Sequence, residues 1–147
     1  MFRHVLIPTD GSPVASKAVR AGIRFAKETG ARVTGVYALD TLRANVNYGG
    51  YRVSEKVVAE IDRRAKQVGQ KYLDAMARLA KSAGVRFDSV CLKIGNPYEG
   101  IIATSHKKKC DVIFIASHGR SGLSRLIMGS VTQKVLAHSK IPVLVYR

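Results

Sequence analysis

The chain alternates between short β-branched runs and longer segments of helical period. Val5-Leu6-Ile7 reads as a buried strand stopped by Pro8. Ser12-Pro13 then combines an N-cap with a first-turn proline, and Ala15, Ala18, Val19, Gly22, Ile23, Phe25 and Ala26 recur at helical spacing until Gly30. A second strand is predicted over Arg32–Leu39. Asp40–Arg52 has little periodicity and contains Gly49-Gly50, which predicts a surface loop. Val58, Ile61, Ala65, Val68, Tyr72, Ala75, Leu79 and Ala83 follow in steps of three and four. They predict one long helix, begun by Ser54 and closed by Gly84. Val85–Lys93 alternates like a third strand. Asn96-Pro97-Tyr98-Glu99 has the signature of a helix start, and that helix is expected to end near Lys109. Val112–Ala116 forms a fourth apolar run, followed by a glycine-bearing loop. A helix is predicted to begin at Ser130 as N-cap, with Val131, Val135, Leu136 and His138 at helical spacing. Ile141–Tyr146 closes the chain as a fifth strand.

Strand and helix alternate without a linker or internal repeat, so residues 1–147 are expected to form one domain. The pattern predicts an α/β fold: a doubly wound, open, five-stranded parallel sheet with helices on both faces and strand order 3-2-1-4-5. In that order the first and fourth strands flank the topological switch point, where such sheets bind ligands beyond the strands' C-terminal ends. Asp10 and the glycine loop after Ala116 then face one crevice.

Composition changes this picture little, but charge does. No apolar run reaches the roughly 18 to 20 residues of a membrane span. The opening Met1–Pro8 enters a strand pattern directly, without the apolar core of a signal peptide, so a cytoplasmic location is expected. Cys91 and Cys110 lack metal-ligand spacing and read as reduced structural residues. The formal net charge is +15, and Lys17, Arg20, Arg24 and Lys27 form one basic stripe on the first helix. A solvated helix face accounts for that stripe. Attraction of a polyanion such as nucleic acid is the alternative, disfavoured because no aromatic residues interleave with the basic ones.

The candidate chemistry lies between Val112 and Thr132. A strand, the loop Ser117-His118-Gly119-Arg120-Ser121-Gly122 and a helix N-terminus after Gly129 make a setting for an anion. Helical N–H groups without partners and the aligned peptide dipoles point at one spot there. The P-loop pattern and G-x-G-x-x-G are both absent. Ser117 beside His118 lacks a partnered acid or a nucleophile elbow, so catalysis is not the expected role. Asp10 either contacts a ligand or merely closes its own turn, and Ser130 is either a ligand donor or only a cap.

Val5-Leu6-Ile7-Pro8-Thr9-Asp10-Gly11-Ser12, the Gly119–Thr132 stretch and the closing Ile141-Pro142-Val143-Leu144-Val145 together resemble the universal stress protein family over essentially the whole chain. The pattern of its nucleotide-binding members resembles G-x2-G-x9-G-[ST]. Gly119, Gly129 and Ser130 match it, and Ala116 replaces the first glycine, with a methyl expected to crowd the sugar or α-phosphate. The resemblance implies a stress-response regulatory protein with ATP as ligand. It places Thr9 beside the base, Asp10 on the ribose hydroxyls and the backbone of Ala38 at the adenine edge, with Pro8 also among the nucleotide-binding residues. It also implies a phosphate contact from Gly119, with Arg120 as an outer clamp; Ala116 counts among the nucleotide-binding residues, and His118 reads as a hydrogen-bond donor near phosphate. Gly129, Ser130, Val131 and Thr132 would hold phosphates through N–H and hydroxyl groups, with Mg²⁺ or Mn²⁺ bridging phosphate oxygens. No protein residue is expected to bind metal. A homodimer through strand 141–146 is implied, and the apolar edge left by that strand points the same way. Slow ATP hydrolysis in the same pocket is the alternative, because no general base other than Asp10 is in prospect.

Overall fold

A computed structural model describes residues 1–40, 54–119 and 128–147; the side chains of Leu39, Asp40 and Ile94 fall outside the description, as do the predicted 40–52 loop from residue 41 onward and Arg120. The elements are β1 (His4–Thr9), α1 (Pro13–Thr29), β2 (Arg32–Asp40), α2 (Glu55–Ala83), β3 (Phe87–Ile94), α3 (Pro97–Lys107), β4 (Val112–Ala116), α4 (Ser130–His138) and β5 (Val143–Tyr146). All strand pairs are parallel and the order is β3-β2-β1-β4-β5, as the alternation predicts.

Strand alternation divides the core in two. Val5, Ile7, Val112, Phe114 and Ala116 face α1 and α2, where they meet Ala15, Val19, Leu73 and Met76. Leu6, Val36, Ile113 and Ile115 face the other way, toward Ile101 of α3 and Val135 of α4. Every residue of β1 and β4 is buried, the signature of central strands covered on both faces.

Capping chemistry sets the helix ends. Ser12 Oγ accepts the Ala15 N–H at 3.1 Å and Ser54 Oγ accepts the Val57 N–H at 3.4 Å. Gly30 and Gly84 end α1 and α2 with φ of 70° and 73°, and their N–H groups bond back into the last turn.

Several boundaries differ from expectation. Pro8 does not stop β1, which runs on to Thr9 beside β2. The ladder to β4 covers only Val5 and Leu6, so Pro8 lies past its end, where a missing N–H is tolerated. Val85 is not in β3: its N–H bonds the Ala80 carbonyl and finishes the α2 cap. The third helix ends at Lys107, and Lys109 turns the chain with φ of 54°. β5 starts only at Val143, because Ser139 and Ile141 close a side-chain turn just before it.

The long helix corrects the pattern reading most. Its buried residues are Gly69, Leu73, Met76 and Ala80, which are not the apolar stripe seen in the sequence. Of that stripe, Ile61, Val68 and Leu79 are 47%, 40% and 39% exposed. Two adjacent apolar faces share one helix, and only one faces the sheet.

Candidate functional site

Thr9 ends β1, and the next three residues form a tight turn. The Gly11 N–H donates to Thr9 Oγ1 at 3.1 Å and the Ser12 N–H donates to Asp10 Oδ1 at 2.9 Å. Gly11 carries φ of 77°, which only glycine adopts without strain. Asp10 therefore does close its own turn. Its second oxygen, Oδ2, nonetheless reaches across the sheet to the loop after β4: a β-carbon on Gly119 would lie 2.7 Å from it. The first and fourth strands thus bring Asp10 and Gly119 together at the switch point.

β4 leads into Ser117, whose N–H donates to the Tyr146 carbonyl at 2.8 Å. The Ser117 carbonyl accepts the Gly129 N–H at 2.8 Å, so the far end of the loop returns to its start. A β-carbon on Gly129 would meet His118 Cα and the Ser117 oxygen at 3.4 Å, and glycine permits this close approach. Arg120 lies outside the described residues.

Two expected phosphate donors are otherwise employed. Gly129, not Ser130, is the N-cap of α4, because its carbonyl already accepts the Gln133 N–H at 3.0 Å. With its own N–H on Ser117, Gly129 offers no donor. The Thr132 hydroxyl is buried and donates to the Ala116 carbonyl at 2.8 Å, anchoring α4 to the end of β4. What remains is the first turn of α4. The N–H groups of Ser130, Val131 and Thr132 have no partner within the helix, the cap residue Gly129 has no side chain to offer them, and Ser130 is exposed. They carry the positive end of the helix dipole.

Ala116 is 5% exposed and its side chain belongs to the core facing α1 and α2. Its methyl therefore does not crowd the crevice, and the residue takes part through its carbonyl. Ser117 Oγ lies 2.7 Å from His118 Nδ1, a contact between sequence neighbours. Ser117 is only 2% exposed and is not an accessible nucleophile. Ala38 lies half-buried near the end of β2, one residue past the Thr9–Tyr37 register pair, and Pro8 is buried within β1.

Two aromatic residues that the sequence does not point to stand beside the Asp10 turn. The Tyr72 ring stacks on Tyr37 at 5.8 Å with 20° between planes and lies directly against the Gly11 backbone. Together they wall the β1 turn on the α2 side. No local signal could reveal this, because α2 delivers Tyr72 from a distant part of the chain.

The strand order and crossovers define a doubly wound α/β fold, with Asp10 and Gly119 meeting at its switch point. Residues 1–147 match the Universal stress protein family, and the chain belongs to it. It is 32% identical over 151 residues to universal stress protein YxiE of Bacillus subtilis, covering all of both chains. It is 31% identical over 152 residues to universal stress protein MJ0531 of Methanocaldococcus jannaschii, covering 100% of this chain and 83% of that protein. Among solved structures, the protein MJ0577 shares the fold with a TM-score of 0.84 at 23% identity, over 99% of this chain and 95% of the other. Universal stress protein structures described in complex with cAMP and, from Archaeoglobus fulgidus, with dAMP share it with TM-scores of 0.67 and 0.64. Their identities are 20% and 19%; each covers at least 99% of this chain, and 97% and 98% of the other is matched.

Proposed function

We propose that this chain is a stress-response regulatory module that binds an adenine nucleotide, ATP, in the β1/β4 crevice. The observation that carries the reading is the approach of Asp10 Oδ2 to Gly119, beside a helix N-terminus whose first N–H groups have no partner within the helix. A carboxylate suits vicinal ribose hydroxyls as an acceptor, and three helical N–H groups suit phosphate oxygens. The β2 backbone at Ala38 supplies peptide groups for the base, with Thr9 and Pro8 on the adjoining strand. Universal stress proteins described in complex with cAMP and dAMP support the adenine part of this reading.

Among the described residues no three His, Cys, Asp or Glu side chains are grouped to hold a metal. In this reading Mg²⁺ or Mn²⁺ arrives with the triphosphate and neutralises its oxygens. This chain's own residues bind and orient. Asp10 is committed to the turn and the sugar, so occupancy of the site rather than turnover is its signal. Isothermal titration with Mg-ATP tests the reading: saturable binding that Asp10→Ala abolishes is expected. No heat of binding at millimolar Mg-ATP would refute it.

We further propose that two copies pair through β5. Its four residues, Val143–Tyr146, are all half-buried, and among the described residues β4 is the one strand beside it.

A further inference from the structure

α2 has 29 residues and α1 has 17, so at 1.5 Å per residue the two span about 43 Å and about 25 Å. Their C-caps, Gly30 and Gly84, line one shallow depression, so the helices end side by side. The first half of α2 therefore runs past the start of α1, and its first buried residue is Gly69. Along this helix Val57, Ile61, Val68 and Leu79 are 48%, 47%, 40% and 39% exposed. At 100° per residue all four fall within an arc of about 40°. The wider run Val58, Ile61, Ala65, Val68, Tyr72, Ala75, Leu79 keeps steps of three and four, the spacing of a seam between two helices; its Ala65 and Tyr72 turn inward onto the core, and Ile61, Val68 and Leu79 remain on the outside.

Charge lies along both sides of this seam. Arg64, Lys71 and Arg78, seven residues apart and all exposed, form a row on its outer flank. Arg64 is paired with Glu60 at 2.6 Å, an acid that Arg63 also holds. Lys71 and Arg78 make no ion pair among the described residues. On the inner flank a groove of about 210 Å³ has Ile23, Leu79 and Ala83 together with Arg20, Arg24 and Lys27 of α1. Those three cations also lack acidic partners among the described residues.

We propose that this outer seam of α2 is a docking surface for an acidic amphipathic helix of a partner protein. The partner's apolar edge lies along Ile61, Val68 and Leu79, and its carboxylates meet Lys71, Arg78 and Arg24. A second copy of this chain is a poorer occupant, because its seam would bring another basic row against the first. A membrane surface is poorer too: an interfacial helix presents a broad apolar face, whereas this stripe is narrow.

The test uses the full chain and a fluorescein-labelled four-heptad peptide with Ile at a, Leu at d and Glu at e and g, read by fluorescence anisotropy. Saturable binding below about 100 µM is expected, weakened at least about tenfold by Ile61→Ser/Val68→Ser and by Lys71→Glu/Arg78→Glu. All four positions are exposed, so thermal unfolding should be unchanged and serves as the folding control. The proposal is overturned by no saturation or by equal binding of a scrambled peptide of the same composition. It is equally overturned if Ile61→Ser/Val68→Ser abolishes binding to phosphatidylglycerol vesicles that the peptide does not compete for, or halves the mass in light scattering.

Discussion

Asp10 and Gly119 are more than one hundred residues apart in sequence, yet a single added carbon on Gly119 would come within 2.7 Å of Asp10 Oδ2. The backbone of Gly119 is not in the left-handed region, so alanine there costs contact and not strain. The carboxylate must then swing away from the position proposed to meet the ribose. Gly119→Ala should weaken Mg-ATP binding about tenfold or more while changing unfolding free energy by less than about 1 kcal/mol. Titration calorimetry and urea unfolding on the same variant measure both. Unchanged affinity would remove Asp10 from the site.

Gly11 behaves differently. Alanine there would place a β-carbon 2.1 Å from Tyr72 Cζ, on a backbone with φ of 77°. Left-handed strain of about 1–2 kcal/mol adds to an overpacking cost of about 1–3 kcal/mol. Gly11→Ala should therefore destabilise the fold by about 2–5 kcal/mol in urea unfolding. In the Tyr72→Ala background the steric part disappears, leaving only the strain. Equal costs in both backgrounds would show that the ring does not press on this turn.

The order of elements and the switch point could be read from the sequence because they follow from alternation alone. The buried strands β1 and β4 are apolar throughout, and the Ser12, Gly30, Ser54 and Gly84 caps are local chemistry. The Asp10–Gly119 approach also followed, once topology set the two strands side by side. What could not be read depends on competition between partners. Gly129 and Thr132 have suitable donors for phosphate, but the Ser117 and Ala116 carbonyls, brought close by the fold, take them first. The α2 periodicity was visible, but a 3.6-residue repeat does not say which of two adjoining apolar faces meets the sheet.

His4 carries a pH dependence at the opposite end of the sheet. It is 4% exposed, and its Nε2 lies 2.8 Å from Thr34 Oγ1. Burial, assisted by the Arg32 charge, holds its pKa below the usual 6.5, against the opposing pull of Asp88, the Lys109 backbone and Asp111. Below pH 6.5 the unfolded chain takes up this proton before the folded one. Stability from this residue is therefore present above pH 6.5 and lost as pH falls through the folded pKa. Asp88 titrates lower. Burial raises its pKa, but hydrogen bonds from Lys108 and Thr34 outweigh this and leave it below 3.8, so its loss begins only in stronger acid. Urea midpoints should drop between pH 7.5 and 5, and His4→Gln should flatten that drop. A drop of equal size in the variant would assign it elsewhere.

The β5 edge gives the last expectation. A strand hydrogen-bonded on one side leaves alternate N–H and C=O groups seeking partners, and half-buried Val143 and Val145 offer apolar surface beside them. Pairing across a two-fold axis would satisfy both at once and place each strand against its own copy. Light scattering at micromolar concentration should then give twice the 16.0 kDa chain mass. Val143→Asp would set like charges near one another across that axis and desolvate them on pairing, so the variant should return to monomer mass while keeping its helical circular dichroism. If it also keeps Mg-ATP affinity, the nucleotide site is complete within one copy. A wild-type chain of monomer mass would leave the β5 edge open and refute the dimer.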